Sequence, residues 1–278
     1  MTTLISPQDF TSTTNQLRTF FSNLGFLEVH TQNRLSILAA CEDPTTVATF
    51  NYSGEVWPLP QTGQMWLEYE LLKDPTLPGV YCVSTSYRQE DNPVKGRHEL
   101  IFPMFEFEAP GQFEDLIKLE HNLCEHLGFL PTDYLRHPYE IWCNIFNVEE
   151  LTHQEETNMG EMHASGVAFI TDFPYSTSPF WNMKKEGDIA KKCDVIMGGM
   201  ETIGSAERSA DTDEMREQFH TISDGEYASL LYDLFGEERV EKELEEFLAH
   251  DFVPRFGGGI GITRLISAMK RAGLIVDD

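Results

Sequence analysis

The segment at residues 194–208, DVIMGGMETIGSAER, constrains the fold more than any other part of the chain. Its Asp194, Glu201 and Arg208 are spaced by seven residues, which would place them on one face of a helix. A helix is unfavourable here, because the β-branched residues favour strands and each interior glycine costs about 1 kcal/mol relative to alanine. A Gly-Gly pair suits a tight turn. The segment therefore predicts a β-hairpin that turns at residues 198–199.

The register of this hairpin brings two carboxylates together. Counting outward from the turn places Ile196 opposite Glu201 and Asp194 opposite Ile203, so Asp194 and Glu201 become diagonal neighbours on one face. Two carboxylates at that spacing repel each other unless a cation lies between them, and oxygen ligands of this kind suit Mg²⁺. The alternative is a solvated acidic hairpin in a very acidic chain. The hairpin alone leaves both interpretations open.

The composition limits the partners and the compartment of the protein. Among 278 residues, 46 are acidic and 20 basic, and the formal net charge of −26 disfavours general binding of nucleic acid. Five dispersed cysteines without a C-x-x-C pair are typical of reduced thiols in a cytosolic protein. No signal peptide is visible, and no apolar run approaches the ~20 residues of a membrane span. We therefore expect a cytoplasmic protein that does not bind membranes.

The order of predicted elements indicates an α+β fold. The first helix begins after Ser6 and ends near Gly25, and its buried residues are predicted to be Leu17, Phe20, Phe21 and Leu24. The further predictions are strands at 26–31, 80–86, 101–108 and 167–171 and helices at 112–127, 212–220, 224–235 and 237–250. Because helices do not alternate regularly with strands, we predict one domain over 1–278 with a mainly antiparallel sheet flanked by helices.

Two segments suggest phosphate binding. The chain has no P-loop, and GGGIGI at 257–262 lacks the last glycine of the dinucleotide fingerprint. It is interpreted either as a closely packed strand–helix junction or as a backbone that a flat ring approaches, with Arg264 stacked on the ring. The segment 88–100, RQEDNPVKGRHEL, concentrates basic residues in a chain poor in them. It is either a charged hairpin tip or a phosphate clamp followed by Phe102 under an adenine.

These segments, taken in order, resemble the motifs of the class II aminoacyl-tRNA synthetases. Arg88 and Glu90 in an R-x-E pattern, then RH and a phenylalanine, are similar to motif 2, and GGGIGITRL resembles motif 3. The D…E…R spacing of the hairpin and QTGQ at 61–64 resemble the aspartyl/asparaginyl branch. Each motif alone is weak, but together they span nearly the whole chain in the order of the family.

The resemblance implies a role for each matched residue. Asp194 and Glu201 would hold Mg²⁺ on ATP, while Arg208, with Gln61 and Gln64, would bind the amino acid. Arg88 and Arg264 would be catalytic, with Arg88 on the α-phosphate as a carboxylate attacks it. The residues implied to contact ATP are Arg88, Glu90, Arg97, His98, Phe102, Glu201, Gly259, Gly261 and Arg264. Positioning and preorganised positive charge would then carry the chemistry.

The chain also departs from the pattern of the family. HTQN places Gln32 where motif 1 usually has a proline, and MWLE at 65–68 lacks the lysine of the aspartyl enzymes, as on the asparaginyl side. The chain begins at motif 1, so no anticodon-binding domain is expected.

Three functional hypotheses follow. The preferred one is ATP-dependent adenylation of aspartate or asparagine with transfer to ammonia, as in the related asparagine synthetases. The alternative is a truncated aspartyl/asparaginyl-tRNA ligase paralogue that charges tRNA or another acceptor, for which lysines 184–185 and 191–192 are the candidate basic patch. A catalytically inactive regulator is the third. A homodimer is implied by the resemblance.

Overall fold

A mixed sheet of nine strands organises the chain in the computed structural model, which describes residues 5–31, 35–37, 44–94, 99–130, 134–177 and 180–275. A separate two-stranded sheet accompanies it. The strands are β1 (Leu27–Glu28), β2 (Thr49–Tyr52), β3 (Glu55–Pro58), β4 (Val80–Tyr87), β5 (Ile101–Pro110), β6 (Leu135–Pro138), β7 (Val167–Pro174), β8 (Lys185–Glu186), β9 (Ile189–Met197), β10 (Met200–Arg208) and β11 (Arg255–Gly261).

Nine α-helices occur in the described part of the chain. They are α1 (Pro7–Asn23), α2 (Gln64–Lys73), α3 (Phe113–His126), α4 (Tyr139–Phe146), α5 (His153–Met162), α6 (Thr212–Thr221), α7 (Glu226–Phe235), α8 (Glu237–Leu248) and α9 (Ile262–Arg271). None of the described helices is long and apolar enough to cross a membrane. The predicted N-terminal helix is confirmed, because Pro7 opens α1 and the Ser6 hydroxyl accepts a hydrogen bond from the Asp9 amide.

The strand order of the main sheet is β1-β4-β5-β11-β10-β9-β7-β6, with β8 beside β9. Neighbours from β4 to β7 are antiparallel, and only β1–β4 and β6–β7 pair in parallel. The predicted α+β fold with a mainly antiparallel sheet is thus confirmed. The two-stranded β2–β3 sheet and helices α2, α4 and α5 were not among the predictions.

The two faces of the sheet differ in chemistry because side chains alternate along each strand. On β5, Phe105 and Phe107 pack into the main core with α1, α3 and α9. The intervening Glu106 and Glu108 point to the opposite face and are also fully buried. Helices α6, α7 and α8 form a second core with α2. We call the side of the sheet to which Glu106 and Glu108 point the glutamate-bearing face.

Two details of the predicted N-terminal region are wrong. Leu24 is 46% exposed, because α1 ends at Asn23 and the buried position passes to Phe26 after the turn. The strand expected at 26–31 is reduced to Leu27–Glu28, although the Val29 amide still donates to the Tyr81 carbonyl oxygen at 2.8 Å. As the edge strand of the sheet, β1 pairs on one side only.

The predicted central hairpin is confirmed, but its two strands pair in a different register beyond Glu201. Met197 pairs with Met200 and Ile196 with Glu201, but a bulge after Glu201 places Asp194 opposite Gly204 instead of Ile203. A bulge inserts one residue into a strand, so every pair beyond it shifts by one.

Candidate active site

A cavity of about 300 Å³ opens on the glutamate-bearing face of the sheet. Most of the predicted site residues that the structure describes line it: Gln64, Arg88, Glu90, Phe102, Glu201, Arg208, Gly259, Gly261 and Arg264. Asp194 lies just behind the cavity wall, beside Lys192. Gln61 is buried elsewhere and donates to the Thr46 hydroxyl at 3.0 Å. Arg97 and His98 fall outside the described residues, as do Gln32 and Cys41.

Glycines on β11 leave space for the side chains of β5 that lie beside the cavity. A Cβ at Gly257 would lie 2.0 Å from the carboxylate carbon of Glu108, and one at Gly259 would lie 2.7 Å from the terminal methyl of Met104. A larger residue at Gly257 would collide with the Glu108 carboxylate that Arg208 holds, whereas one at Gly259 would require the end of the Met104 side chain to move. The glycine run is therefore a strand that packs closely against β5 and continues into α9, as one of the two sequence interpretations predicts.

One end of the cavity is built on a buried arginine. Arg208 is 2% exposed, and its Nη2 donates to Glu108 Oε1 at 2.7 Å and to Gln64 Oε1 at 2.9 Å. Its Nε also donates to Glu108 Oε1, at 3.1 Å. Charge-assisted bonds from two directions fix the plane of the guanidinium.

A second buried pair supports the first. Arg255 Nε and Nη2 donate to Glu68 Oε2 at 3.0 and 2.5 Å, and Asn182 donates to Glu68 Oε1 at 2.7 Å. The same Glu68 Oε1 lies 3.9 Å from Arg208 Nε. Two guanidinium groups and two carboxyl groups thus form one buried network, in which each charge has an opposite charge beside it.

The Glu108 carboxyl group is the least satisfied member of this network. Its Oε2 is buried and has no hydrogen-bond partner among the described residues. Burial raises the pKa of Glu108 above its usual range, although Arg208 opposes the shift. The protonation state of this group is therefore sensitive to what binds beside Arg208.

Glu106 forms a polar cluster between β5 and the segment that precedes α2. Its carboxylate accepts hydrogen bonds from the Thr62 hydroxyl, from the Gly63 amide at 2.8 Å and from the Ser84 hydroxyl at 2.5 Å. Burial raises the pKa of Glu106, whereas these donors lower it. The cluster fixes the loop that carries Gln64 into the cavity.

The opposite end of the cavity combines an aromatic ring with two arginines. The Arg88 guanidinium lies 5.5 Å from the centre of the Phe102 ring. Arg88 Nε is buried without a hydrogen-bond partner in the described part of the chain. Arg264 donates from Nη1 to the Glu201 carbonyl oxygen at 2.7 Å. This end presents a ring face and positive charge, as a nucleotide requires.

The two hairpin carboxylates converge above Gly204. A Cβ on Gly204 would lie 3.0 Å from Glu201 Oε1 and 3.7 Å from Asp194 Oδ1. Asp194 Oδ2 accepts from Lys192 at 2.8 Å, whereas its buried Oδ1 has no hydrogen-bond partner within the described ranges. Burial raises the pKa of Asp194, Lys192 lowers it and Glu201 raises it further. The two carboxylates therefore lie close together as predicted, although the strands pair in a shifted register.

These oxygens fit a divalent cation that keeps other ligands. The described residues contain no group of three or more His, Cys, Asp or Glu side chains spaced to hold a metal ion by themselves. Mg²⁺ is commonly bound by one or two carboxylates together with substrate phosphates and water. The orphaned Asp194 Oδ1 and the space left by Gly204 are what such an ion needs.

Sequence reasoning missed the supporting residues of the site. Glu106 and Glu108 had a signal in the alternation FEFE, which places two carboxyl groups on one face of a strand. Arg255 and Glu68 had none, because they pair across 187 residues. Lys192 was noted only as part of a basic patch, although its spacing of two residues from Asp194 places both side chains on one face of a strand.

The sheet topology and the gathering of the motif residues around one cavity agree with a class II synthetase-like fold. The chain belongs to the family of class II tRNA synthetases (D, K and N), whose model matches residues 8–277. The resemblance inferred from the motifs is therefore confirmed.

Individual relatives place the chain near the aspartyl and asparaginyl members. It is 24% identical to an aspartate–tRNA(Asp/Asn) ligase of Methanopyrus kandleri, over 93% of this chain and 63% of the relative. An asparagine–tRNA ligase of Pelotomaculum thermopropionicum is 36% identical, over 32% of this chain and 20% of the relative.

Solved structures of the same class share the fold. The asparaginyl-tRNA synthetase of Pyrococcus horikoshii complexed with asparaginyl-adenylate gives a TM-score of 0.78 at 20% identity, over 95% of this chain and 64% of that chain. The aspartyl-tRNA synthetase of Entamoeba histolytica gives 0.71 at 16% identity, over 96% of this chain and 55% of that one. The chain thus spans 63% of the Methanopyrus relative and 64% and 55% of these two solved chains.

Proposed function

We propose that this protein is an ATP-dependent ligase that joins aspartate or asparagine to AMP, releases pyrophosphate and transfers the aminoacyl group to tRNA. The observation that carries the proposal is a cavity with a fixed, buried Arg208 at one end and Arg88, Phe102 and Arg264 at the other. The family and the names of the relatives support the same reaction class.

The amino-acid end suits a short side chain with a terminal carboxylate or amide. Arg208 offers a planar guanidinium whose orientation is set by Glu108 and Gln64. A guanidinium donates charge-assisted hydrogen bonds to the oxygens of either group. The two substrates differ in charge. The aspartate side chain would add a negative charge to a network that already holds two carboxyl groups, whereas the asparagine side chain would add none.

The nucleotide end suits adenine and the α-phosphate. Phe102 and Arg264 provide the surfaces for the ring, and Arg88 supplies positive charge where the substrate carboxylate attacks phosphorus. When bound, Mg²⁺ at Asp194 and Glu201 would neutralise phosphate charge. The residues of this chain act by orientation and preorganised charge, so no protein nucleophile is required.

The proposed acceptor, tRNA, differs from the acceptor preferred from the sequence alone. Ammonia was the preferred acceptor there, but the relatives are named as ligases of tRNA, which favours the alternative. A net charge of −26 requires that any tRNA contact be local. The cytoplasmic location, the homodimer and the single-domain organisation remain predictions.

Exchange of labelled pyrophosphate into ATP tests amino-acid activation. We expect exchange with aspartate or asparagine and a loss of about 100-fold in kcat/KM for Arg208→Gln, which removes charged hydrogen bonds to the substrate. Arg216→Gln is the matched control, because Arg216 pairs with Glu245 on the surface. Arg88→Gln tests the other end of the cavity independently of Arg208.

The acceptor is tested by supplying unfractionated tRNA or ammonium to the same reaction. Aminoacylated tRNA supports the proposal, whereas asparagine formed only with ammonium would restore the first hypothesis. ATP binding without exchange for either amino acid would overturn the amino-acid assignment, and absence of ATP binding would overturn the proposal as a whole.

A further inference from the structure

Lys192 lies where the carboxylate pair meets the cavity. It precedes Asp194 by two residues on β9, so both side chains emerge on the same face of the sheet. Its Nζ is 2.8 Å from Asp194 Oδ2 and 4.1 Å from the centre of the Phe173 ring. The lysine side chain is 25% exposed and lines the cavity. It is therefore anchored on one side and accessible to a ligand on the other.

The two oxygens of Asp194 have different surroundings. Oδ2 is held by Lys192, whereas Oδ1 turns toward the space over Gly204 that it shares with Glu201 Oε1. The two oxygens of one carboxylate are close together, so a divalent cation over Gly204 would feel the charge of the ammonium directly.

We propose that Lys192 is a built-in cation of the phosphate site: it competes electrostatically with the divalent ion for Asp194 and contacts a phosphate oxygen when a nucleotide binds. The inference deepens the proposed function and rests on it for the phosphate contact. The competition for Asp194 does not depend on the proposed function, because it concerns the protein without nucleotide.

Opposite effects on the two ligands follow from the position of the ammonium. In the absence of nucleotide, its charge partly neutralises Asp194 and repels a second cation, which weakens binding of the divalent ion. In the absence of a divalent ion, the same charge attracts the phosphates. Removal of Lys192 therefore strengthens metal binding and weakens metal-free nucleotide binding. If Lys192 only oriented Asp194, its removal would instead weaken metal binding.

The first experiment measures Mn²⁺ binding to the protein without nucleotide, from the electron paramagnetic resonance signal of free Mn²⁺. At about pH 8.5, where ordinary carboxyl groups are ionised, Lys192→Met should bind Mn²⁺ about tenfold more tightly than the wild type. Lys192→Arg keeps the charge and should match the wild type. Unchanged or weaker binding by Lys192→Met overturns the proposal.

Lys191→Met is the matched control. Lys191 is the adjacent residue on β9 and also forms an ion pair, with Asp172 at 3.0 Å, but it does not line the main cavity. Its loss should leave Mn²⁺ affinity at the wild-type value. An increase equal to that of Lys192→Met would mean that overall charge, and not the position of Lys192, sets the affinity, which also overturns the proposal.

The second experiment measures ATP binding by calorimetry in EDTA. Lys192→Met should bind metal-free ATP about tenfold more weakly than the wild type, and Lys191→Met should not change it. Equal binding by all three proteins overturns the phosphate contact. If the wild type binds ATP neither in EDTA nor with Mg²⁺, the proposed function and the phosphate contact fail, while the Mn²⁺ result still decides the competition at Asp194.

Discussion

The fully buried glutamates are the residues through which we expect the stability of the fold to depend on pH. Glu106 and Glu108 accept hydrogen bonds from neighbouring side chains, but both oxygens of Glu120 on α3 have no hydrogen-bond partner among the described residues. The nearby Ser205 hydroxyl donates to the Cys193 carbonyl oxygen instead, at 3.1 Å. Burial raises the pKa of Glu120 to about 8.

The raised pKa predicts that Glu120 destabilises the fold as pH rises. The native state keeps a proton that the unfolded state loses near its ordinary pKa of about 4.3, so this contribution to the free energy of unfolding falls between about pH 4.3 and 8. We expect Glu120→Gln to remove that dependence and to raise the free energy of unfolding at pH 7 by about 3 kcal/mol. Urea unfolding across this pH range measures both effects.

Glu125→Gln is the control for Glu120, because it makes the same change at an exposed position of the same helix. Its pH profile should follow that of the wild type. If the difference between Glu120→Gln and the wild type were independent of pH, the buried carboxyl group would not be protonated as we infer.

At the scale of elements, α5 and the turn of the central hairpin are packed backbone to backbone. A Cβ on Gly160 would lie 2.3 Å from the Gly199 amide nitrogen. One turn earlier in α5, Glu156 accepts a hydrogen bond from the Glu201 amide at 3.1 Å. The position of α5 therefore supports the strand that carries Glu201.

The close contact predicts that Gly160→Ala separates the two elements. Because a backbone atom cannot move aside like the end of a side chain, we expect a loss of about 2–3 kcal/mol in the free energy of unfolding. Hydrogen exchange should be faster at the Glu201 amide. Glu161→Ala, at an exposed position of the same helix, should change neither measurement. A Gly160→Ala protein as stable as the wild type would contradict close backbone packing between α5 and the turn.

At the scale of the whole molecule, self-repulsion between acidic side chains opposes folding. The charge of −26 is spread over a compact chain, and isolated surface ion pairs such as Lys242–Glu246 contribute little. At 0.1 M, added salt largely screens repulsion between exposed charges that are more than about 10 Å apart. We predict that the urea midpoint rises with NaCl concentration.

The salt prediction is checked by urea unfolding at low and moderate NaCl, with KCl as the control for specific ion effects. Equal increases in the two salts indicate screening. A midpoint that falls with salt would mean that attractive ion pairs outweigh repulsion in the folded state.

Local patterns account for what the sequence alone could predict. The hairpin at 194–208 follows from β-branched residues around a Gly-Gly turn, and the helix at α1 follows from its cap and apolar spacing. The motif residues Arg88, Phe102, Arg208 and Arg264 were identified through resemblance, and the structure brings them to one cavity. Their individual roles remain predictions.

By itself, then, the sequence determined the mainly antiparallel α+β class, the hairpin and its paired carboxylates, because each depends on neighbours in the chain. The tertiary structure decided the register beyond Glu201 and the partners of the buried charges. Arg255 meets Glu68 across 187 residues and Arg208 meets Glu108 across 100. Such pairs depend on strand order and on a one-residue bulge, and no local spacing specifies either, since pairing energy is gained only when distant segments meet.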